Sequence, residues 1–240
     1  MSGFVDLHCH YLPAIDDGVK TAEEGIALCR GLRSIGYETA VATPHIRTAM
    51  FENRKAGLEK AFSEFASRAS DLEGMPTLGL GAEHHFDDIV WALFQADEAV
   101  PYPGGAAALV EFPERAIPMG VTDRFFRMMV KGLRPVLAHP ERYQAFFKKS
   151  DDIDPLLDVG ALPLLDLMSL TGKYGRKPKK AAERMVDEGV YYAACSDSHR
   201  PSDVEKVAKA IERLRKLIGD EEAEELLRDN PRRILEGRVE

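Results

Sequence analysis

Cysteine is scarce in this chain. The three present, Cys9, Cys29 and Cys195, are odd in number and nowhere spaced as CxxC. That argues against a disulfide framework and points to a reducing, cytoplasmic setting. Basic residues are also in deficit: 32 Lys and Arg against 40 Asp and Glu leave a formal charge of −8. Such a balance disfavours nucleic acid or an anionic membrane as partner, although bound divalent cations would cancel several carboxylates. No apolar run approaches the roughly 20 residues of a membrane span, and no signal-peptide pattern precedes Asp6, so no membrane insertion is expected. No linker, low-complexity tract or fixed-period repeat interrupts the sequence, and residues 1–240 are expected to form one domain.

What the chain does have is alternation. Apolar strand patterns fall at residues 4–8, 39–43, 77–83, 107–112, 135–139, 162–167 and 190–196, with helical patterns between most of them. Thr21-Ala22-Glu23-Glu24 is a capping box opening a helix that stops at Gly36. Asn53 is expected to cap a helix burying Leu58, Ala61, Phe62, Phe65, Ala66 and Ala69. Short helices are predicted over 88–95 and 122–133, the latter with Phe125, Phe126, Met129 and Val130 inward. Ser202-Asp203-Val204-Glu205 is a second capping box, and its helix should bury Val204, Val207, Ala208, Ile211, Leu214 and Ile218. Asn230-Pro231 supplies the cap and first residue of a last helix. Strands alternating with helices predict an α/β fold with a mostly parallel sheet, open or closed into a barrel.

The polar residues collect where these strands end. Strand one ends in His8 and His10, two imidazoles that a period of two turns to one side. Asp16-Asp17-Gly18 follows in the loop. Further along come His45, Glu83, Glu111, His139 with Arg142, and Asp197 with His199. Six of the seven strands therefore deliver a metal-ligand type to the rim where α/β barrels keep their active sites. Any one of these residues alone would more simply be a solvated loop carboxylate or a satisfied structural histidine. Five of the chain's 7 histidines at strand ends is a pattern that such separate explanations do not account for. His84 and His85 follow Glu83 directly, and one or both should line the pocket without binding metal. A His and carboxylate set without thiolate suits Mn, Fe or Zn. Its size exceeds the needs of one ion, which predicts two or three metals sharing a carboxylate. Such clusters serve phosphoryl transfer, and Arg142 lies close enough to fork onto phosphate oxygens.

These motifs resemble the PHP (polymerase and histidinol phosphatase) superfamily. The matching segments are His8-Cys9-His10, Asp17-Gly18, Thr43-Pro44-His45, Gly81-Ala82-Glu83, Glu111-Phe112, Ala138-His139-Pro140-Glu141-Arg142-Tyr143 and Ser196-Asp197-Ser198-His199. The Asp-Asp-Gly turn, the His-Pro-Glu-Arg-Tyr run and the late Asn-Pro-Arg-Arg-Ile narrow the resemblance. They point to the bacterial metal-dependent protein-tyrosine phosphatases of capsule and exopolysaccharide loci. The resemblance implies a distorted seven-stranded (β/α) barrel with its active site at the C-terminal strand ends. It implies two or three divalent ions, manganese or iron, with zinc also compatible. His8, His10, Glu83 and Asp197 would hold one ion. Glu83, Glu111 and His139 would hold a second, with Glu83 bridging. Asp17, His45 and His199 would hold a third. Arg142, His45 and Asp197 are then the expected catalytic residues, a metal-activated hydroxide is the nucleophile, and Arg142 binds the phosphate. The family pattern has a second arginine in a longer loop after Asp-x-His; here Arg200 in a short loop is the substitute candidate. The implied substrate is the phosphotyrosine tail of a bacterial tyrosine kinase controlling polysaccharide export. The basic loop Lys173, Arg176, Lys177, Lys179 and Lys180 could attract such a tail.

Four other functions compete. A cysteine-based phosphatase needs an arginine six residues after its thiolate; Cys195 and Arg200 are one residue too close, and Cys195 lies in an apolar strand. A histidinol-phosphate phosphatase or other small-molecule phosphoesterase keeps the cluster and changes the substrate. A DNA exonuclease conflicts with the acidic charge. A non-catalytic, metal-stabilised scaffold that binds a kinase would have no use for an open cluster beside an arginine.

Overall fold

The first strand, β1 (Phe4–Cys9), is short and buried, and it pairs in parallel with β2 (Tyr37–Ala42). The structure, a computed structural model, describes residues 3–239. β2 stops at Thr43-Pro44, because proline cannot donate to a ladder. The chain resumes as the two-residue β3 (His45–Ile46). The next strand is interrupted at the same level. β4 (Thr77–Leu80) pairs with β2, and after Gly81-Ala82 β5 (Glu83–His85) pairs with β3. Gly81 N donates to Ala42 O at 2.8 Å and Glu83 N to Pro44 O at 3.1 Å, so the two breaks stay in register. The remaining strands are β6 (Ala107–Glu111), β7 (Arg134–Ala138), β8 (Leu162–Asp166) and β9 (Ala193–Cys195).

Sheet pairing therefore gives two parallel sheets, β1-β2-β4 and β3-β5-β6-β7-β8-β9, instead of the single seven-stranded barrel expected. The paired breaks at Pro44 and Gly81 account for the division. Between β9 and β1 the contact is a backbone pair: Asp197 N donates to His8 O and His10 N to Ser198 O, each at 2.9 Å.

Apolar side chains form two clusters. The smaller takes alternate strand residues, among them Val5, Leu7, Val41, Leu109, Val136 and Leu164. The larger takes the intervening ones, such as Ala40, Ala42, Val110, Leu137 and Leu165, with the helices. α1 (Ala22–Ser34) buries Leu28, Cys29 and Leu32 there, with Thr21 accepting from Glu24 N as its cap. Each such leucine contributes roughly 1.5–3 kcal/mol of burial.

Several helix expectations need correction. α2 (Lys55–Ala69) has no side-chain cap; Asn53 donates instead to Ile15 O and His45 O. α3 (Asp88–Gln95) is capped by Asp87. In α4 (Val121–Val130), Phe125 and Met128 are buried, whereas Phe126 and Val130 are 58% and 72% exposed. The inward stripe is i, i+3, so two expected core positions face out. After α5 (Asp154–Leu157) and α6 (Arg176–Asp187), α7 (Val204–Ile218) begins without the expected box. Ser202 and Asp203 form a 3-10 turn, and the Asp203 carboxylate accepts from His199 N at 3.2 Å. Asn230 lies inside the last helix, donating to Tyr192 O at 2.9 Å.

Candidate metal centre

Register sets the site. His45 lies beside Glu83 across β3–β5, and His85 beside Glu111 across β5–β6. His139 follows β7 directly, Asp197 stands two residues past the end of β9, and His8 is the next-to-last residue of β1. All nine candidate ligands come together. Four compact groups share members: His8, His10 and Asp197; His8, Glu83 and His139; His45, Glu83 and Glu111; and His10, Asp17, His45 and His199. Glu111 thus falls nearer His45 than the expected set with His139. Glu83 is central: its Oε2 lies 3.5 Å from His8 Nε2, 3.7 Å from His10 Nε2 and 2.9 Å from His45 Nδ1. Its Oε1 lies 3.0 Å from His139 Nε2. Asp197 Oδ1 is 3.0 Å from His8 Nε2 and 3.5 Å from His10 Nε2. Asp17 Oδ1 is 3.4 Å from His45 Nε2 and 3.5 Å from His199 Nε2.

The donor set fits divalent cations. His8 Nε2, His10 Nε2, His45 Nδ1 and Glu83 Oε2 are buried and, among the described residues, have no hydrogen-bond partner. Orphaned buried polar atoms are costly, and four converging on one point are the arrangement a cation satisfies. Their outer nitrogens are held. His8 Nδ1 lies 2.8 Å from Thr43 Oγ1 and His10 Nδ1 2.8 Å from Asp16 Oδ2, which fixes each ring with its other nitrogen inward. Burial pushes His8 well below its ordinary pKa despite the pull of Glu83, leaving the neutral imidazole a metal prefers. Burial, with His10 adjacent, brings His199 down to about 4. For Glu83, burial is outweighed by His8, His45 and His139, which hold the carboxyl well below its usual range.

Arg142 stands at the edge. It pairs with Asp197 and, at 2.9 Å, with Asp166 Oδ2, and its guanidinium lies 4.0 Å from the Tyr174 ring centroid. Arg200 is exposed and lines a cleft together with Arg142, Asp17 and His199. Sequence reasoning missed four supporting residues. Asp16 not only orients His10 but accepts from His45 N and Gly18 N, which ties the first loop to β3. Asp166 was visible as a carboxylate ending the one strand given no polar terminus. Thr43 and Tyr174 carried no local signal, because their partners are 35 and 32 residues away in sequence. His84 is a satisfied core residue, bonded to Leu109 O and Val100 N; His85 Nδ1 instead sits 3.2 Å from Glu111 Oε2. Cys9 and Cys195 are buried, and burial pushes both thiols well up.

Comparison with known proteins agrees with this geometry. The family described as "Capsular polysaccharide synthesis, CpsB/CapC" matches residues 4–236. The tyrosine-protein phosphatase YwqE of Bacillus subtilis is 29% identical over 81% of this chain and 77% of its own length. The tyrosine-protein phosphatase CpsB of Streptococcus pneumoniae is 26% identical over 96% and 98%. A chain from the crystal structures of those two proteins, described as unique metal-dependent tyrosine phosphatases, superposes with a TM-score of 0.89. It is 26% identical and covers 97% of this chain and 94% of that one. A phosphotriesterase homology protein from Escherichia coli, 13% identical with a TM-score of 0.56 over 96% and 97% of the two chains, shares the fold.

Proposed function

The chain belongs to the CpsB/CapC family of capsular polysaccharide synthesis, and from that premise we propose that it is a metal-dependent protein-tyrosine phosphatase. The observation that carries the proposal is the set of orphaned, buried imidazole and carboxylate atoms converging beside Arg142. We assign two or three divalent ions, manganese or iron, to the nine candidate ligands. His8, His10, Glu83 and Asp197 would hold one, Glu83, Glu111 and His139 a second, and Asp17, His45 and His199 a third. When bound, such ions supply a hydroxide at neutral pH and neutralise charge on the phosphoryl oxygens.

The chain's own residues do the rest. Thr43 and Asp16 orient His8 and His10. Asp166 and the Tyr174 ring hold the Arg142 guanidinium at the cleft, where its fork can meet two phosphoryl oxygens. A phenolate leaving group, with a pKa of about 10, needs less help from an acid than an alkoxide does. We read the two sheets as one distorted seven-stranded (β/α) barrel of the PHP type. The β9–β1 backbone pair and the alternate-residue core cluster support that reading, in a single domain working in the cytoplasm. No helix among the described residues is long and apolar enough to cross a membrane.

The substrate we propose is the phosphotyrosine tail of a bacterial tyrosine kinase. Metal-loaded protein should turn over a phosphotyrosine peptide and para-nitrophenyl phosphate faster than histidinol phosphate; the reverse order would replace this substrate with the small molecule. His139→Ala should abolish turnover, and undiminished activity would make the cluster a structural one in a kinase-binding scaffold.

A further inference from the structure

Arg142 shares the Tyr174 ring with a lysine. A cleft of about 440 Å3 is lined by Asp17 and His199 together with Arg142, Lys173, Arg200 and Lys206. Lys173 lies on the turn after Gly172, its N–H donating to Met168 O at 3.3 Å. Its backbone is exposed, yet its side chain is only 24% exposed. The ammonium is poorly satisfied there. One contact is Met168 Sδ at 3.4 Å, a weak acceptor, and the other is Asp203 Oδ2 at 3.7 Å. Asp203 is already committed, accepting from His199 N and from Lys206 Nζ, each at 3.2 Å. Two ammonium groups therefore share one carboxylate, and positive charge remains for the cleft. Lys173 Nζ and the Arg142 guanidinium also contact the same Tyr174 ring, at 5.2 and 4.0 Å from its centroid. Both cations therefore lie against one aromatic ring at a cleft that two candidate ligands, Asp17 and His199, also line.

We propose that Lys173, not Arg200, is the second cation that binds the substrate phosphoryl group, acting with Arg142 in the cleft that Asp17 and His199 also line. A phosphate monoester carries up to two negative charges on three oxygens, more than one guanidinium satisfies. Arg142 already spends part of its donor capacity on Asp166 and Asp197. The inference rests on the phosphatase reading above and deepens it by naming a substrate-binding residue.

The test measures inorganic phosphate binding by titration calorimetry on the full manganese-loaded chain, with KM and kcat on para-nitrophenyl phosphate and on an acidic phosphotyrosine peptide. Lys173→Met should weaken phosphate binding and raise KM for both esters by about tenfold, the scale of one charge-assisted contact. Lys173→Arg should recover most of that loss, and Arg200→Ala should cost less than Lys173→Met. Lys209→Met, an equal charge change on the exposed face of α7, controls for net charge. Three results overturn the proposal: phosphate affinity unchanged in Lys173→Met, a larger loss in Arg200→Ala, or a loss confined to the acidic peptide. The last would assign Lys173 to the flanking residues of the peptide. Wild-type protein that binds phosphate through Lys173 yet hydrolyses neither ester would overturn the phosphatase reading and leave this one standing.

Discussion

His139 and Asp197 both hold positive φ, 33° and 46°, a region that costs a non-glycine residue roughly 1–3 kcal/mol. Both carry candidate ligands just past a strand, His139 one residue after β7 and Asp197 two after β9. The turn aims the side chain back over the strand end, and the strain is tolerated because the flanking backbone is hydrogen-bonded on each side. His139→Gly should therefore be more stable than His139→Ala by about 1 kcal/mol in urea unfolding of metal-free protein. Equal stability would mean that no strain is stored there. Thr43 gives a second test at this scale. Its hydroxyl meets both His8 Nδ1 and Cys9 N, so Thr43→Val frees the His8 ring and leaves a buried N–H unpaired. Metal affinity should fall roughly 10–100-fold in competition with a chromophoric chelator. The candidate ligands themselves were legible because each is a polar residue ending an apolar run. The partner that orients His8 was not, since Thr43 looks like an ordinary strand residue until the strands are placed side by side.

At the scale of elements, the ends of β7 and β8 are joined by one buried carboxyl. Glu141 accepts from Asp166 N at 3.1 Å, Ser169 Oγ at 2.8 Å and Tyr191 OH at 3.1 Å. Burial, with Asp166 nearby, raises its pKa from 4.5 to about 7. A carboxyl raised on folding favours the native state below its unfolded pKa. That contribution is lost as pH rises from about 4.5 through 7. Unfolding free energy should drop between pH 5 and 8 by on the order of 3 kcal/mol more in the wild type than in Glu141→Gln. An identical drop in both would place the titrating group elsewhere. The first loop is similarly constrained. A Cβ on Gly18 would meet His10 O at 2.4 Å and His10 Cβ at 2.6 Å, so Gly18→Ala must displace the loop carrying Asp16 and Asp17. Loss of metal by elemental analysis, with the fold retained by circular dichroism, is the expected result. Helix caps were the least legible feature. Asn53 and Asp203 sit at helix starts with capping chemistry, but tertiary partners at His45 and His199 claim their side chains.

For the whole molecule, the buried site should make metal part of the stability. Cations bound to the folded state would satisfy four ligand atoms that lack a hydrogen-bond partner among the described residues. Chelation should lower the thermal midpoint and abolish turnover together, and manganese should restore both. Elemental analysis should find two or three ions per chain; one or none would contradict the shared-ligand assignment. The sequence by itself determined the α/β alternation, the parallel pairing and which polar residues stand at the strand ends as candidate ligands, because period-two burial and polar termini are local properties of the chain. Only tertiary structure decided that these ends meet at one point, with Glu83 between four imidazoles. It also decided that the strands break at Pro44 and Gly81 into two sheets, and that Lys173 shares the Tyr174 ring with Arg142. Those facts depend on register and on contacts between residues far apart in the chain, and no local pattern encodes such distances.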